Sequence, residues 1–145
     1  MAESKSRTLF LVILCVALLP LDVWAKRAAP QPVKPLLWSV YKIQPSGDGS
    51  SAKITVSKIC KCYFKPKTIT IYEINYQKSL ERDVQRLYIT ELEIDNGVLW
   101  VKTEKDGIFS CNITTGKVKL VKLPQGYEQI KTGKASIVLK FYRTH

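Results

Sequence analysis

A chain of 145 residues with 23 Lys and Arg against 12 Asp and Glu has a formal charge of +11 and 46% apolar residues. That apolar content excludes a disordered polyelectrolyte, and the length suits one domain around a single core. The one histidine is His145, the last residue. Chain ends are seldom held rigidly, so Ser–His and Cys–His chemistry has no positioned base.

The first 25 residues read as a secretory signal peptide. Lys5 and Arg7 supply positive charge, and Leu9 to Leu19 is an unbroken apolar run. Pro20 ends the run, and Val23-Trp24-Ala25 presents the small or aliphatic residues that a signal peptidase reads. The run is shorter than the roughly 20 apolar residues of a membrane-spanning helix. Cleavage after Ala25 is therefore expected, leaving a mature chain from Lys26 with no transmembrane segment. Its removal takes two bases and two acids, so the charge stays at +11. Lys26-Arg27 is the only dibasic pair. Processing there removes almost nothing, so a charged mature N-terminus is the expectation. Residues 26–35, with Pro30, Pro32 and Pro35, are predicted to be an extended leader with little hydrogen bonding. Residues 36–145 are predicted to be a single all-β domain.

Within that domain apolar residues alternate with period two, and no window of ten or more residues carries a helical stripe. Leu36 to Ile43 reads as a first strand, followed by a glycine-containing link from Pro45 to Ser51. From Ala52 to Phe64 the even positions are mostly apolar, and Cys60 and Cys62 share their face. From Thr68 to Tyr76 the apolar parity changes between Ile71 and Ile74, which predicts a bulge near Glu73. Gln77 to Gln85 is a polar connection with room for one helical turn. Leu87 to Ile94 runs into Asp95-Asn96-Gly97, a strong hairpin signal, and Val98 to Thr103 returns. Lys105-Asp106-Gly107 turns into Ile108 to Ile113, and Thr115-Gly116 turns into Val118 to Leu123. A looser loop around Pro124 and Gly126 precedes a last strand bearing Ala135, Ile137, Leu139 and Phe141 on one face.

Seven or eight short strands predict a single antiparallel sandwich or a small up-and-down barrel. Leu99 to Thr103, Asp106 to Phe109 and Thr115-Gly116-Lys117 together resemble part of a β-propeller blade. The resemblance covers about thirty residues and occurs once, whereas propellers need several blades. It is convergent hairpin chemistry.

Removing the signal leaves three cysteines, Cys60, Cys62 and Cys111. A bridge within Cys60-Lys61-Cys62 would close a strained ring, so Cys111 is expected to pair with one of the other two. Closing that loop would stabilise the fold by about 4 kcal/mol in the chain-entropy description. The third thiol is then buried and free, or bridges to another chain as a disulfide-linked dimer. Cys111 is followed by an Asn112-Ile113-Thr114 sequon. Strand parity turns Phe109, Cys111 and Ile113 inward and Asn112 outward, where a glycan must project.

No phosphate loop, nucleotide fingerprint or calcium loop is present, and neither cofactor nor metal is expected. Glu91, Glu93 and Asp95 lie on one strand face, which reads as the wet side of a sheet. Lys53, Lys61, Lys65, Lys67, Lys117 and Lys119 are candidate anion-binding residues. Lysine outnumbers arginine 18 to 5, and such lysines also guard sheet edges against pairing. Export argues against nucleic acid as the partner. The sequence thus predicts a secreted, non-enzymatic glycoprotein that engages an extracellular protein or an anionic matrix or cell-surface component. The alternative is a carrier holding a small apolar ligand inside a β-barrel.

Overall fold

A computed structural model describes residues 27–59, 65–131 and 136–142. Residues 1–25, read above as a signal peptide, and the Cys60-Lys61-Cys62 segment lie outside the described residues. The architecture is all-β, with ten strands among those described. These are β1 (Leu36–Trp38), β2 (Tyr41–Ser46), β3 (Ser51–Lys58), β4 (Lys67–Ile74), β5 (Ile89–Asp95), β6 (Val98–Thr103), β7 (Ile108–Asn112), β8 (Val118–Lys122), β9 (Tyr127–Ile130) and β10 (Val138–Phe141). They form two sheets, one of six strands ordered β1-β2-β3-β4-β10-β9 and one of four ordered β5-β6-β7-β8.

Of the two architectures expected, the up-and-down barrel does not form. Closure would require hydrogen bonding from β4 to β5 and from β8 to β9, and neither pair exists; β1, β9, β5 and β8 are sheet edges. The strand count also exceeds the seven or eight expected, for two local reasons. The stretch read as one first strand is two, because Ser39 adopts a left-handed φ of 53° and turns the chain between β1 and β2. The stretch read as a loose loop after Pro124 contains β9, whose residues Tyr127 to Ile130 show no alternation and pair with β10.

The parity change in β4 has the cause expected of it, two residues upstream of Glu73. Ala52 pairs with Tyr72 and Lys53 with Thr70, so Ile71 is the extra residue of a bulge. Ile71 and Tyr72 are consequently both buried, although they are neighbours in sequence. The Asn96-Gly97 turn forms as expected, with φ of 47° and 76°, the left-handed pair that a two-residue hairpin demands. The polar connection between β4 and β5 contains turns and no helical turn.

Buried side chains of both sheets belong to one hydrophobic cluster. Ile43, Ile54 and Ile71 from the larger sheet join Leu99, Val101 and Phe109 from the smaller. Tyr72 and Phe109 meet with ring centroids 5.1 Å apart. The β4–β5 connection is fastened from within by hydrogen bonds. Tyr72 donates its hydroxyl to Leu87 O at 2.8 Å, and the Tyr127 hydroxyl lies 3.1 Å from Gln85 O and 3.0 Å from Arg86 O. Gln85, fully buried, accepts from Gln77 N at 2.7 Å and donates to Gln77 O and Leu80 O at 3.0 Å each. Every polar atom of that side chain is thereby satisfied, as burial demands. Among the described residues no helix is long and apolar enough to cross a membrane.

Candidate functional site

The β7 strand carries the sequon as its alternation requires. Phe109 and Cys111 are fully buried, Ile113 nearly so, and Asn112 is exposed. Asn112 accepts Thr115 N through Oδ1 at 2.9 Å. This Asx turn shapes the β7–β8 corner and leaves the amide nitrogen, the atom a glycan would occupy, out of the contact. Among the described residues Cys111 has a free thiol. Burial raises its pKa, and nearby Lys67 opposes the shift only in part. Its expected bridging partners, Cys60 and Cys62, lie outside the described residues.

The candidate lysines divide into two groups. Lys67 occupies the inward-facing register of β4 opposite Val56, at the end of the sheet, where its alkyl stem approaches the other sheet. Its Nζ donates to Thr114 O at 3.0 Å. A Cβ placed on Gly116 would stand 3.2 Å from the same nitrogen. Lys67 is therefore held against the β7–β8 turn, which leads into exposed Lys117 and, within β8, exposed Lys119. Lys67 thus reaches, across some fifty positions of sequence, the turn that leads from Asn112 to Lys117. Lys65 is exposed and lies just before β4. Lys53 is exposed on β3, where neighbouring Ala52 and Ile54 face the core, so it occupies the outer face away from that corner. Lys61 lies outside the described residues.

The acidic row on β5 is exposed, as expected, and it has a counter-ion. Lys102 Nζ stands 3.0 Å from Glu91 Oε2 and 3.5 Å from Glu93 Oε2. The hydrogen bond and charge of Glu91, with a smaller share from Glu93, raise the Lys102 pKa. The arrangement is a solvent-screened cross-strand cluster of the kind that balances charge on a sheet face. Among the described residues no group of three His, Cys, Asp or Glu side chains converges in a way that could hold a metal ion.

No family model, curated protein or solved structure matches this chain.

A second site was invisible in the sequence. The leader packs back onto the body, and residues Ala29 to Val33 form one wall of a cleft of about 270 Å³. The opposite wall is the β2–β3 hairpin, from Gln44 through Gly49 to Ala52, and Tyr72, Leu87, Tyr88 and Ile89 complete the lining. Gly49 makes this approach possible. A Cβ there would sit 2.8 Å from the Tyr88 ring and 2.9 Å from Arg86 Cβ. The hairpin tip is set by Asp48, which accepts Ser50 N at 2.9 Å and the Ser50 hydroxyl. These two bonds lower the Asp48 pKa.

Arg27 fastens the leader at its upstream end. It forms an ion pair with Glu104, donates from Nη1 to Arg86 O at 3.1 Å, and lies 5.8 Å above the Tyr88 ring. Next to Glu104, Lys105 places its Nζ 4.6 Å from the Phe141 ring and 5.1 Å from the Tyr127 ring. Partial burial lowers the Lys105 pKa, and the Arg27 charge adds to the effect. Arg27 and Glu104 are too far apart in sequence for any local pattern to join them. The surplus of prolines was the only available signal, and it indicated extension without direction.

Proposed function

We propose that this protein is a secreted, non-enzymatic glycoprotein in which two sheets form a face-to-face sandwich. It binds an anionic extracellular partner at the corner formed by Lys67, Lys117 and Lys119. The Tyr72–Phe109 contact between sheets, at 5.1 Å, supports the sandwich. The observation that carries the binding site is the Lys67 amine held 3.0 Å from Thr114 O, next to two exposed lysines. A tethered ammonium beside mobile ones makes a cationic corner that costs less ordering on binding than three free side chains would. Exposed Asn112 lies beside it and is the proposed glycan position.

The protein should elute from immobilised heparin well above physiological salt. A Lys117→Glu/Lys119→Glu variant should elute distinctly earlier, while Lys53→Glu on the outer face should change elution less. Passage of the unmodified protein straight through the column would remove the support for this reading.

The uncharged cleft under the leader favours a second reading, in which the protein carries a small neutral ligand. The site is then the junction of leader, β2–β3 hairpin and β5, because the absence of a closed barrel leaves no barrel interior to hold it.

A further inference from the structure

The outer edge of β8 has the chemistry of a strand that lacks its neighbour. Val118 lies opposite buried Cys111 and Leu120 opposite buried Phe109, so both face the core, yet each is only half-buried. Lys119 lies opposite Ser110 and Lys122 opposite Ile108, and Lys117 O accepts from Asn112 N at 2.9 Å. Alternation turns these three lysines to the outer face, and all are exposed. Because Lys117 bonds back to Asn112, alternation also directs the main chain of Lys119 toward β7. The main chain of Val118 and Leu120 then points to the open side. Among the described residues no strand pairs with that side. Val121, the extra residue of the β7–β8 bulge, and Leu123 add apolar surface there, 54% and 41% exposed.

The opposite edge of the same sheet shows what complements such a strand. There β5 lies on β6 with Glu91 opposite Lys102, and with Leu92 and Ile94 opposite buried Val101 and Leu99. Lys102 Nζ reaches Glu91 Oε2 at 3.0 Å and Glu93 Oε2 at 3.5 Å on the outer face. Carboxylates outside and aliphatic side chains inside are thus the match for a lysine-bearing strand in this fold. The β8 edge repeats that arrangement with its lysines unmatched. We propose that β8 is an augmentation edge, which takes an extended segment of a partner protein that alternates acidic and aliphatic residues. The segment adds antiparallel as a fifth strand of the smaller sheet. Its acids lie opposite Lys117 and Lys119 in the close, non-hydrogen-bonded pairs. Its aliphatic residues cover Val118 and Leu120 and bond to their main chain. Lysines on an edge commonly protect it against pairing. Here the protection is selective, because a second β8 would place lysine opposite lysine, whereas an acidic strand is matched. Lys67, tied to Thr114 O at 3.0 Å, braces the turn where the added ladder begins.

This inference rests on the anionic-partner reading of Lys117 and Lys119 and names that partner. The probe is the fluorescein-labelled octapeptide Glu-Leu-Glu-Ile-Asp-Val-Glu-Leu, whose first five residues copy Glu91 to Asp95. It is titrated by fluorescence anisotropy against the purified protein, beside a peptide of equal composition with its acids in one block. The alternating peptide should bind about tenfold more tightly than the blocked one. Lys117→Glu/Lys119→Glu should weaken it by roughly tenfold, and Lys53→Glu by less than about twofold. N-methylation of the Leu, Ile and Val amides, which face β8, should abolish binding. N-methylation of the Glu and Asp amides, which face solvent, should leave it intact. Bound peptide should slow amide exchange at Val118 and Leu120. Equal binding of the two methylated peptides, or of the alternating and blocked ones, overturns strand addition. Retention of the protein on heparin with no peptide binding overturns the partner segment and keeps the anionic-partner reading. Failure on both removes both. Slow exchange at Val118 in the protein alone that speeds up on dilution assigns the edge to a second copy and overturns the partner segment.

Discussion

The two sheets were assembled under different rules. In the four-stranded sheet spatial order equals chain order, and each neighbour pair is joined by a short turn. In the six-stranded sheet β10 lies between β4 and β9, pairing parallel with β4 through Val138 and Leu139 and antiparallel with β9. The smaller sheet is thus held by contacts local in sequence. The larger depends on a strand that arrives some sixty residues after its partner, and such non-local pairing must overcome a larger loop-closure entropy. The comparison teaches where specificity resides. Turn chemistry suffices for the meander, whereas the larger sheet needs the buried polar fastening of the 75–88 connection to bring β10 beside β4.

The most severe way to break the contrast is to remove the side chain that joins the two systems. Phe109 belongs to the meander, is fully buried, and packs on Tyr72 of the larger sheet. Phe109→Ala should destabilise the protein by about 3–5 kcal/mol, read from urea unfolding. Loss of tertiary signal from both sheets in one transition is the expected form. Two separated transitions would mean that the sheets are energetically independent.

A smaller effect should come from the fastening alone. Tyr127→Phe removes the hydroxyl that lies 3.1 Å from Gln85 O and 3.0 Å from Arg86 O. The loss should be about 1–3 kcal/mol, because buried acceptors are left without their donor. The same variant tests the alkaline limb of stability. Burial raises the phenols of Tyr72 and Tyr127 above the ordinary tyrosine value of 10.0. The unfolded chain releases those protons first, so the stability they contribute is complete below pH 10 and is lost as the pH rises further. With one phenol gone, the alkaline fall measured by urea titration across pH 8 to 11.5 should be shallower in Tyr127→Phe. An equally steep fall would assign it to other groups.

The smallest expected effect is confined to the meander. Gly97→Ala places a Cβ at a φ of 76°, with its nearest neighbour, Trp38 Cη2, at 3.9 Å. No clash arises, so the cost is left-handed backbone strain of about 1 kcal/mol. Hydrogen exchange should speed up at the β5–β6 hairpin and leave β10 protected. Equal loss of protection at β10 would show that the meander and the larger sheet unfold together.

Legibility followed the same division. The β6 strand matched its expected bounds, Val98–Thr103, and β7 and β8 matched to within one residue, because Asn96, Gly97, Asp106 and Gly116 at φ > 0 mark their turns in the residues themselves. The β4 bulge was readable as a parity change, though its position was displaced to Ile71. Strand β9 was not readable. Tyr127 is its only fully buried residue, and Glu128 and Gln129 are both exposed, so no period-two signal existed. Of the candidate lysines, Lys117 and Lys119 were placed on an exposed face by alternation alone, as the structure has them. Lys67 shares its strand face with Ile69 and Ile71, so its inclusion rested on charge and not on its inward register.

By itself, the sequence determined the all-β class, the four-stranded meander and the opposed directions of Cys111 and Asn112. Each is a consequence of period-two alternation or of a residue that tolerates a left-handed backbone, and both act over a few neighbouring positions. Tertiary structure alone decided the insertion of β10 between β4 and β9 and the meeting of Lys67 with the β7–β8 turn. It also decided the return of the leader to Glu104 and Tyr88. Those contacts join residues that share no local period. Their selection depends on which distant surfaces can bury apolar area and satisfy buried polar groups at the same time.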